Sequence, residues 1–137
     1  MVKSSIIKQI AADFEFLLSH PSFLGMILYG SWVHEMNSVR SDVDLCIVEN
    51  SNNPIKLYKE ICVRVDIYRK KYDIQFFSEI PWYLKGRVIE EGITVLTPDK
   101  PKLFESLHLY QKIWNDQKAR QQMSKEELLQ IIKSRAQ

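Results

Sequence analysis

The stretch YGSWVHEMNSVRSDVDLCIVEN, residues 29–50, joins the end of one predicted strand to the start of the next. It places Asp42 and Asp44 two residues apart, at the head of the apolar run LCIV, residues 45–48. Side chains at i and i+2 of a strand point to the same face of a sheet. Two ionised carboxylates so close repel each other, and each loses solvation when it is buried. The pattern therefore predicts either a cation between the two carboxylates or a strand end that is open to water.

Length and composition indicate one ordinary globular domain. The chain has 137 residues, of which 45% are hydrophobic and 26% charged, and its net charge of +2 gives no field that would favour a nucleic acid or a membrane. Cys46 and Cys62 lie in apolar patterns and form no CxxC motif, which predicts buried, reduced thiols. Acids at Asp13 and Glu15 argue against a signal peptide, and no apolar run reaches membrane-spanning length. We therefore expect a cytoplasmic protein.

The periodicity of apolar residues predicts alternating helices and strands around a small sheet. Helices are expected at residues 4–18, 55–68, 78–92 and 102–121, with one or two helical turns in 32–38 and a last helix from Ser124, where Ser124 and Glu127 match a capping box. Strands are expected at 23–30, 42–48, 72–77 and 93–96. This order predicts an α/β (α+β) fold with a mixed sheet of about four strands, flanked by helices and followed by a C-terminal helical tail.

A third carboxylate and a Gly-Ser pair extend the acidic motif. Asp73 lies on the polar side of the alternating strand YDIQFF, and three carboxylates on one sheet face suit Mg²⁺, whose other ligands are waters and substrate phosphates. Gly30 allows close approach of the backbone, and Ser31 offers a hydroxyl and a free N–H to a phosphate. Asp66 is a rival third carboxylate, but the periodicity of 55–68 places it on a helix with Lys70 as its i+4 partner.

Plainer interpretations exist for each of these features. Asp42 and Asp44 could cap exposed N–H groups in a turn that leads into the strand, and Asp73 could be an edge-strand residue that faces solvent. The basic side of the 55–71 segment is more typical of a solvated helix face than of an RNA-binding surface. The stripe Leu103, Leu107, Tyr110 and Trp114 is more typical of a core than of an interface, unless the domain is too small to cover it.

Gly30-Ser31, ten intervening residues, and then Asp42-x-Asp44 before an apolar strand resemble the minimal nucleotidyltransferases of the DNA polymerase β-like superfamily. The stretch YDIQFFSEIPWYLKGRVIEEGITVL, residues 72–96, is similar to the family's third strand with its third acid, a helix and a closing strand. The segment LFESLHLYQKIWNDQKARQQ, residues 103–122, resembles the C-terminal helix of members that act as antitoxins beside a HEPN-domain ribonuclease toxin.

The resemblance implies a polymerase β-like fold and a role for each motif residue. Gly30 and Ser31 would hold the terminal phosphates of ATP, Asp42 and Asp44 would bind two Mg²⁺ ions, and Asp73 would complete the metal site and activate the acceptor. AMP would pass from ATP to a hydroxyl, expected to be a tyrosine of a HEPN toxin. Residues 1–99 would form the nucleotidyltransferase domain. Residues 100–137 would form an extension that packs on the domain or on a partner, in a homo-oligomer or a hetero-oligomer.

The chain departs from the family pattern at two positions. The family often carries an arginine and a glycine where His34 and Glu35 stand here. These departures leave open a non-catalytic antitoxin that acts by binding its partner alone. An adenylyltransferase with a small-molecule acceptor is a further alternative, but such enzymes carry an additional domain, and the short tail argues against it.

Overall fold

A computed structural model of the chain describes residues 2–33, 42–51 and 53–136. The helices are α1 (Val2–Asp13), α2 (Pro54–Arg64), α3 (Trp82–Glu91) and α4 (Lys100–Ala136), and the strands are β1 (Phe23–Tyr29), β2 (Val43–Glu49), β3 (Tyr72–Phe76) and β4 (Ile93–Leu96). Two short 3₁₀ helices lie at Glu15–Ser19 and Gly30–Trp32. The helical turns predicted in 32–38 fall mostly outside the described residues.

The four strands form one mixed sheet in the order β3-β2-β1-β4. Strand β1 runs antiparallel to both β2 and β4, whereas β2 and β3 are parallel. This arrangement confirms the predicted mixed sheet of four strands. Because β1 ends where β2 and β3 begin, the end of β1 and the starts of β2 and β3 meet at one end of the sheet.

Helices cover both faces of the sheet. Helices α1 and α2 pack on one face, through buried side chains that include Ile10, Leu45 and Ile61. Helices α3 and α4 pack on the other face, through buried side chains that include Cys46, Val88 and Leu103. The alternation of side chains along β2 therefore sends Asp44 and Cys46 toward the α3–α4 side, because Leu45 belongs to the opposite core.

The first helix is shorter than predicted. Helix α1 ends at Asp13, and a 3₁₀ helix follows it at Glu15–Ser19 in place of the single helix expected over 4–18. Residues three apart lie above one another in a 3₁₀ helix. The tighter turn thereby brings Phe14 and Leu17 onto one side, where both are fully buried.

Helix α2 begins as expected, at Pro54 with Asn53 as its N-cap. The periodicity of 55–68 predicts an apolar face made of Ile55, Tyr58, Ile61, Cys62, Val65 and Tyr68, and the structure buries part of that face. The buried positions of α2 are Leu57 and Ile61, followed by Val65 just after the helix. Among the side chains assigned to the apolar face, Cys62 and Tyr68 are exposed, so the expectation of two buried thiols holds for Cys46 alone. Each position of an α-helix is turned by about 100° from the last, which carries residue 62 away from the stripe that Leu57 and Ile61 define.

The segment after α2 is a turn, and the placement of Asp66 on a helix is wrong. Helix α2 ends at Arg64, and the Asp66 carboxylate accepts the N–H of Arg69 at 3.1 Å. An aspartate that bonds to nearby backbone in this way competes with helix formation. Lys70 pairs with Asp13 at 2.7 Å instead of forming the expected i+4 pair with Asp66.

The third helix starts later than predicted, because Ile80 precedes Pro81 and a residue before proline is disfavoured in helical conformation. Helix α3 accordingly begins at Trp82, with Pro81 as its N-cap, and ends just before Gly92 as expected. Residues 78–80 form a turn between β3 and α3.

The C-terminal tail is one helix, and the separate last helix predicted from Ser124 is wrong. Helix α4 runs from Lys100 to Ala136 without a break, because the chain has no glycine or proline after Pro101, which lies in the first turn where proline is tolerated. Leu103 is fully buried against the sheet, and Trp114 donates a hydrogen bond to Glu90 at 3.0 Å. No helix in the described residues is long and apolar enough to cross a membrane.

Candidate active site

The predicted motif residues meet at the end of the sheet where β1 stops and β2 and β3 start. Tyr29, the last residue of β1, pairs with Asp44 of β2, and Asp44 pairs in turn with Asp73 of the neighbouring parallel strand. Asp44 thus occupies the centre of three adjacent strand ends. Asp73 lies on an edge strand and is exposed, as its plainer interpretation predicts, and it is also the direct neighbour of Asp44.

Gly30 brings the backbone against the central carboxylate. Its φ of +80° is in the left-handed region that favours glycine, and a Cβ added there would overlap Oδ2 of Asp44. Ser31 follows in the short 3₁₀ helix and lines a cavity of about 490 Å³ together with Gly30, Asp44 and Asp73. This volume lies within the range of pockets that hold small molecules.

Asp42 lies just before β2 and is exposed. It lines a second depression, adjacent to the first, and Asp73 lines both. The structure therefore brings Asp42, Asp44 and Asp73 to the same end of the sheet. The rival Asp66 lines a different depression, in the turn after α2.

The carboxylate of Asp44 is electrostatically strained. Burial, the negative charge of Asp73 and a hydrogen bond between the two side chains raise the pKa of Asp44 to about 6, and Asp42 adds to the rise. Arg87 opposes the rise with its positive charge. The pKa of Tyr29 is also raised, first by burial and then by the negative groups around it. The site thus holds more negative charge than its own cations balance.

This strain predicts a pH-dependent stability in the absence of divalent cations. The pKa of Asp44 is higher in the folded state than the unfolded value of about 3.9. Its ionisation therefore lowers the free energy of unfolding progressively between about pH 4 and pH 6, and the whole of this loss is present above about pH 6. Discounted for partial exposure, we expect Asp44→Asn to raise the free energy of unfolding by about 1 kcal/mol at pH 7.5 in EDTA. The gain should vanish near pH 4, and urea unfolding at the two pH values measures it. Asp66→Asn is the matched control, and an Asp44→Asn protein less stable than the wild type at pH 7.5 would contradict this electrostatic account.

Residues outside the sequence motifs also line the cavity, including three polar or charged ones from β3, the turn after it and α3. Gln75 donates a hydrogen bond to Oδ1 of Asp73 at 3.2 Å, Glu79 comes from the turn before α3, and Arg87 comes from α3 itself. Arg87 also lies 3.8 Å from Glu91, one turn further along the helix. Leu84, three residues earlier on the same helix, also lines the cavity, so one face of α3 borders it.

Cys46 lies deeper along the Asp44 side of β2 and is fully buried. Burial raises the pKa of its thiol to about 12. A thiol that stays protonated is neither a nucleophile nor a metal ligand, so Cys46 is a core residue, as the sequence pattern predicts.

The donor set suits a divalent cation. Three carboxylates supply the hard oxygen ligands that Mg²⁺ prefers, and a cation between Asp44 and Asp73 would relieve the repulsion that helps to raise the pKa of Asp44. In the described residues, no three His, Cys, Asp or Glu side chains stand ready as a metal-binding group. Binding of an ion between these carboxylates would therefore require reorientation of their side chains. His34 and Glu35, the two departures from the family motif, lie outside the described residues.

Comparisons with known proteins agree on the class of this domain. Residues 14–101 match the family model "Polymerase beta, Nucleotidyltransferase". A candidate protein adenylyltransferase of Methanocaldococcus jannaschii is 35% identical over 96 residues, which cover 70% of this chain and 73% of that protein.

Solved structures with the same fold include toxin–antitoxin proteins. A toxin–antitoxin structure with AMP-PNP matches with a TM-score of 0.61 at 13% identity, covering 94% of this chain and 99% of that one. The MntA-HepT toxin–antitoxin structure matches with a TM-score of 0.55 at 12% identity, covering 90% and 96%. A structure from Shewanella oneidensis matches with a TM-score of 0.53 at 15% identity, covering 90% and 97%. These structures share the polymerase β-like fold, including its C-terminal helix. With residues 14–101 matched by its model, the chain belongs to the polymerase beta nucleotidyltransferase family and is an enzyme of the nucleotidyltransferase class.

Proposed function

We propose that the chain transfers AMP from ATP to a hydroxyl group of a protein, a tyrosine of a HEPN-domain toxin, and thereby acts as an antitoxin. The observation that carries the proposal is that Gly30 lies against Asp44, which pairs with Asp73, so that a turn suited to binding a phosphate adjoins two carboxylates. The relative from M. jannaschii supports a protein acceptor, and the toxin–antitoxin structures support the biological setting.

Each residue of the site has a task in this reaction. The N–H groups and hydroxyl at Gly30 and Ser31 bind the terminal phosphates, and Asp42, Asp44 and Asp73 would hold two Mg²⁺ ions. Mg²⁺ held by these carboxylates would supply charge stabilisation to the transition state. Asp73 accepts the proton of the acceptor hydroxyl as the new O–P bond forms at the α-phosphorus and the bond to pyrophosphate breaks.

The two parts of the chain have different tasks in this proposal. Residues 1–99 form the nucleotidyltransferase domain, and residues 100–137 form the helical extension. The first turns of α4 are anchored on the domain through Leu103 and Trp114. The exposed apolar side chains Leu129 and Ile132 near its end are then available to a partner chain.

The direct test mixes the purified chain with α-labelled ATP, Mg²⁺ and a HEPN-domain protein that co-purifies with it. We expect label on the HEPN-domain protein and none when its acceptor tyrosine is replaced by phenylalanine. A stable complex of the two proteins that acquires no label would overturn AMP transfer and favour an antitoxin that acts by binding alone.

Arg87 supplies the positive charge that the motif lacks at His34. It lines the same cavity as Gly30 and Ser31, and its charge acts on Asp44. We propose that its guanidinium binds the triphosphate, a group for which arginine has the matching geometry.

Arg87→Ala is therefore expected to raise the KM for ATP by about tenfold and to change kcat by less than about threefold, since an exposed charge-assisted contact contributes about 1–1.5 kcal/mol. Steady-state kinetics with ATP as the varied substrate measures the effect. Lys102→Ala, which removes an exposed positive charge from the start of α4, is the matched control. An unchanged KM for ATP in Arg87→Ala would exclude the phosphate contact.

A further inference from the structure

A second depression adjoins the carboxylates on the side away from the phosphate-binding turn. It is lined by Asp42, Ile67, Tyr68, Lys71, Tyr72 and Asp73. Among the residues that the structure describes, the cavity that contains Gly30, Ser31 and Arg87 shares only Asp73 with it. Asp73 thus separates two spaces, one with the phosphate-binding groups and one with an aromatic ring and a lysine.

The outer wall of the second depression is a tightly bonded turn. The N–H of Tyr72 donates to the carbonyl of Ile67 at 2.9 Å, and the carbonyl of Lys71 accepts the N–H of Val43 at 2.7 Å. Lys71 has a φ of +59°, which is uncommon for a residue with a side chain. These bonds tie the turn to the start of β2, so that the turn presents Tyr68 at a fixed place beside the carboxylates.

Tyr68 contributes almost nothing to the core. Its side chain is 94% exposed, although the turn that carries it is anchored on both sides. An aromatic ring held in this way offers a face for stacking at little cost in conformational entropy.

The geometry of phosphoryl transfer decides what each space can hold. The attacking and leaving oxygens lie roughly in line on opposite sides of the phosphorus atom. With the triphosphate on the side of Gly30, Ser31 and Arg87, the leaving pyrophosphate occupies that cavity. The attacking hydroxyl must then approach from the opposite side of Asp73, which is the side of Asp42 and Tyr68.

Resting on the proposed function, we infer that the depression lined by Asp42, Tyr68, Lys71 and Asp73 receives the acceptor, a tyrosine within an acidic segment of a protein. The ring of Tyr68 packs against the acceptor ring and positions its hydroxyl toward Asp73. The acceptor oxygen forms a bond to the α-phosphorus of ATP, its proton passes to Asp73, and pyrophosphate leaves on the far side.

Charge around the depression favours an acidic segment. Lys71 lines it, and Arg69 and Lys70 belong to the same exposed turn, where Lys70 pairs with Asp13. Against these three basic residues the turn carries one acidic residue, Asp66, whose carboxylate accepts the N–H of Arg69. Beyond the two carboxylates that act on the reacting groups, the turn is therefore basic, and glutamate or aspartate beside the acceptor tyrosine would be attracted to it.

The test uses the full chain, α-labelled ATP, Mg²⁺ and a random copolymer of glutamate and tyrosine as acceptor. Tyr68→Ala is expected to raise the KM for the copolymer by about tenfold and to leave the KM for ATP within about twofold, because one stacking contact is lost and the nucleotide cavity is intact. Tyr68→Phe should behave as the wild type, since the ring is what acts. Tyr83→Ala, which removes a tyrosine that is 65% exposed on α3, is the matched control and should change neither KM.

A binding measurement separates this inference from the chemistry. Benzoylphenylalanine placed at Tyr68 should photo-cross-link to the copolymer without nucleotide or metal, and the same group placed at Tyr83 should not. Lys71→Gly is compatible with the positive φ at this position and removes one positive charge from the depression. It should therefore reduce the preference for this copolymer over a copolymer of lysine and tyrosine by about threefold.

Three results would overturn the inference. The first is an unchanged KM for the copolymer in Tyr68→Ala, and the second is a rise in the KM for ATP in that variant without a rise in the KM for the copolymer. Both results would still be compatible with AMP transfer as the reaction. The third is transfer to the 3′ end of an RNA oligonucleotide that depends on Tyr68 while transfer to the copolymer does not. A wild-type chain that labels neither copolymer nor a HEPN-domain protein would overturn the proposed function, and with it the acceptor role of the depression.

Discussion

Asp44→Asn is expected to lower kcat/KM for AMP transfer by about a thousandfold, because a ligand shared by bound Mg²⁺ contributes several kcal/mol of transition-state charge stabilisation. Asp44 is the central member of the site, paired with Tyr29 on one side and Asp73 on the other. An asparagine keeps the shape of the side chain but removes the negative charge that would hold a divalent cation in the proposed reaction. Initial rates of label transfer from α-labelled ATP, measured over a range of Mg²⁺ concentrations, give the effect.

The matched control for this variant is Asp66→Asn. It removes one carboxylate from the turn after α2, where the side chain bonds to the backbone and lines a different depression. Its kcat/KM should stay within about threefold of the wild type, since it touches neither nucleotide nor metal. Equal losses in Asp44→Asn and Asp66→Asn would mean that general destabilisation, and not metal binding, explains the first variant. Thermal unfolding of both proteins in EDTA makes that distinction directly.

The residues of the catalytic motif could be found from the sequence because their positions follow from local rules. Alternation along a strand puts Asp42 and Asp44 on one face, and a glycine at a strand end indicates a sharp turn of the backbone. The pairing of Asp44 with Asp73 could be anticipated once β2 and β3 were expected in one sheet. The register that makes them direct neighbours depends on the whole sheet and became visible only in the structure.

Arg87 and Tyr68 could not be found in the same way. Arg87 lies on α3, and its approach to the cavity depends on how that helix crosses the sheet. Tyr68 was assigned to the buried side of a helix that ends at Arg64, four residues earlier. The hydrogen bonds that Asp66 and Lys71 make within the turn redirect the chain there, and apolar periodicity carries no information about them.

Boundaries of helices show the same limit. The four strands lie within one or two residues of their expected positions, because short apolar runs between turn residues leave little freedom. Helix α4 is longer than expected because the Ser-x-x-Glu capping box, which marks the start of a helix, begins a new helix only where the preceding helix has ended. Helix α4 continues through this position. The sequence after Pro101 contains no glycine or proline that would end the helix.

Gly30→Ala is expected to destabilise the fold by about 2–4 kcal/mol and to lower kcat/KM by at least about a hundredfold, because it adds left-handed strain of about 1–2 kcal/mol to a steric overlap. The added Cβ would overlap Oδ2 of Asp44, so that either the turn or the carboxylate must move. Ser31→Ala is the comparison within the same turn. It removes the hydroxyl but leaves the backbone intact, and should lower kcat/KM by about tenfold with little change in stability.

A double-mutant cycle separates the two causes of the Gly30→Ala effect. In an Asp44→Ala background the overlapping carboxylate is gone, while the strain at φ of +80° remains. Gly30→Ala should then cost about 1–2 kcal/mol, the strain alone, and the difference from the wild-type background is the energy of the overlap. Urea unfolding of the four proteins in EDTA gives the cycle. A full loss of 2–4 kcal/mol in both backgrounds would show that backbone conformation alone requires glycine at this position. A smaller loss with Asp44→Ala would show that glycine is required here because the turn lies against the Asp44 carboxylate, as the proposed phosphate and metal sites need.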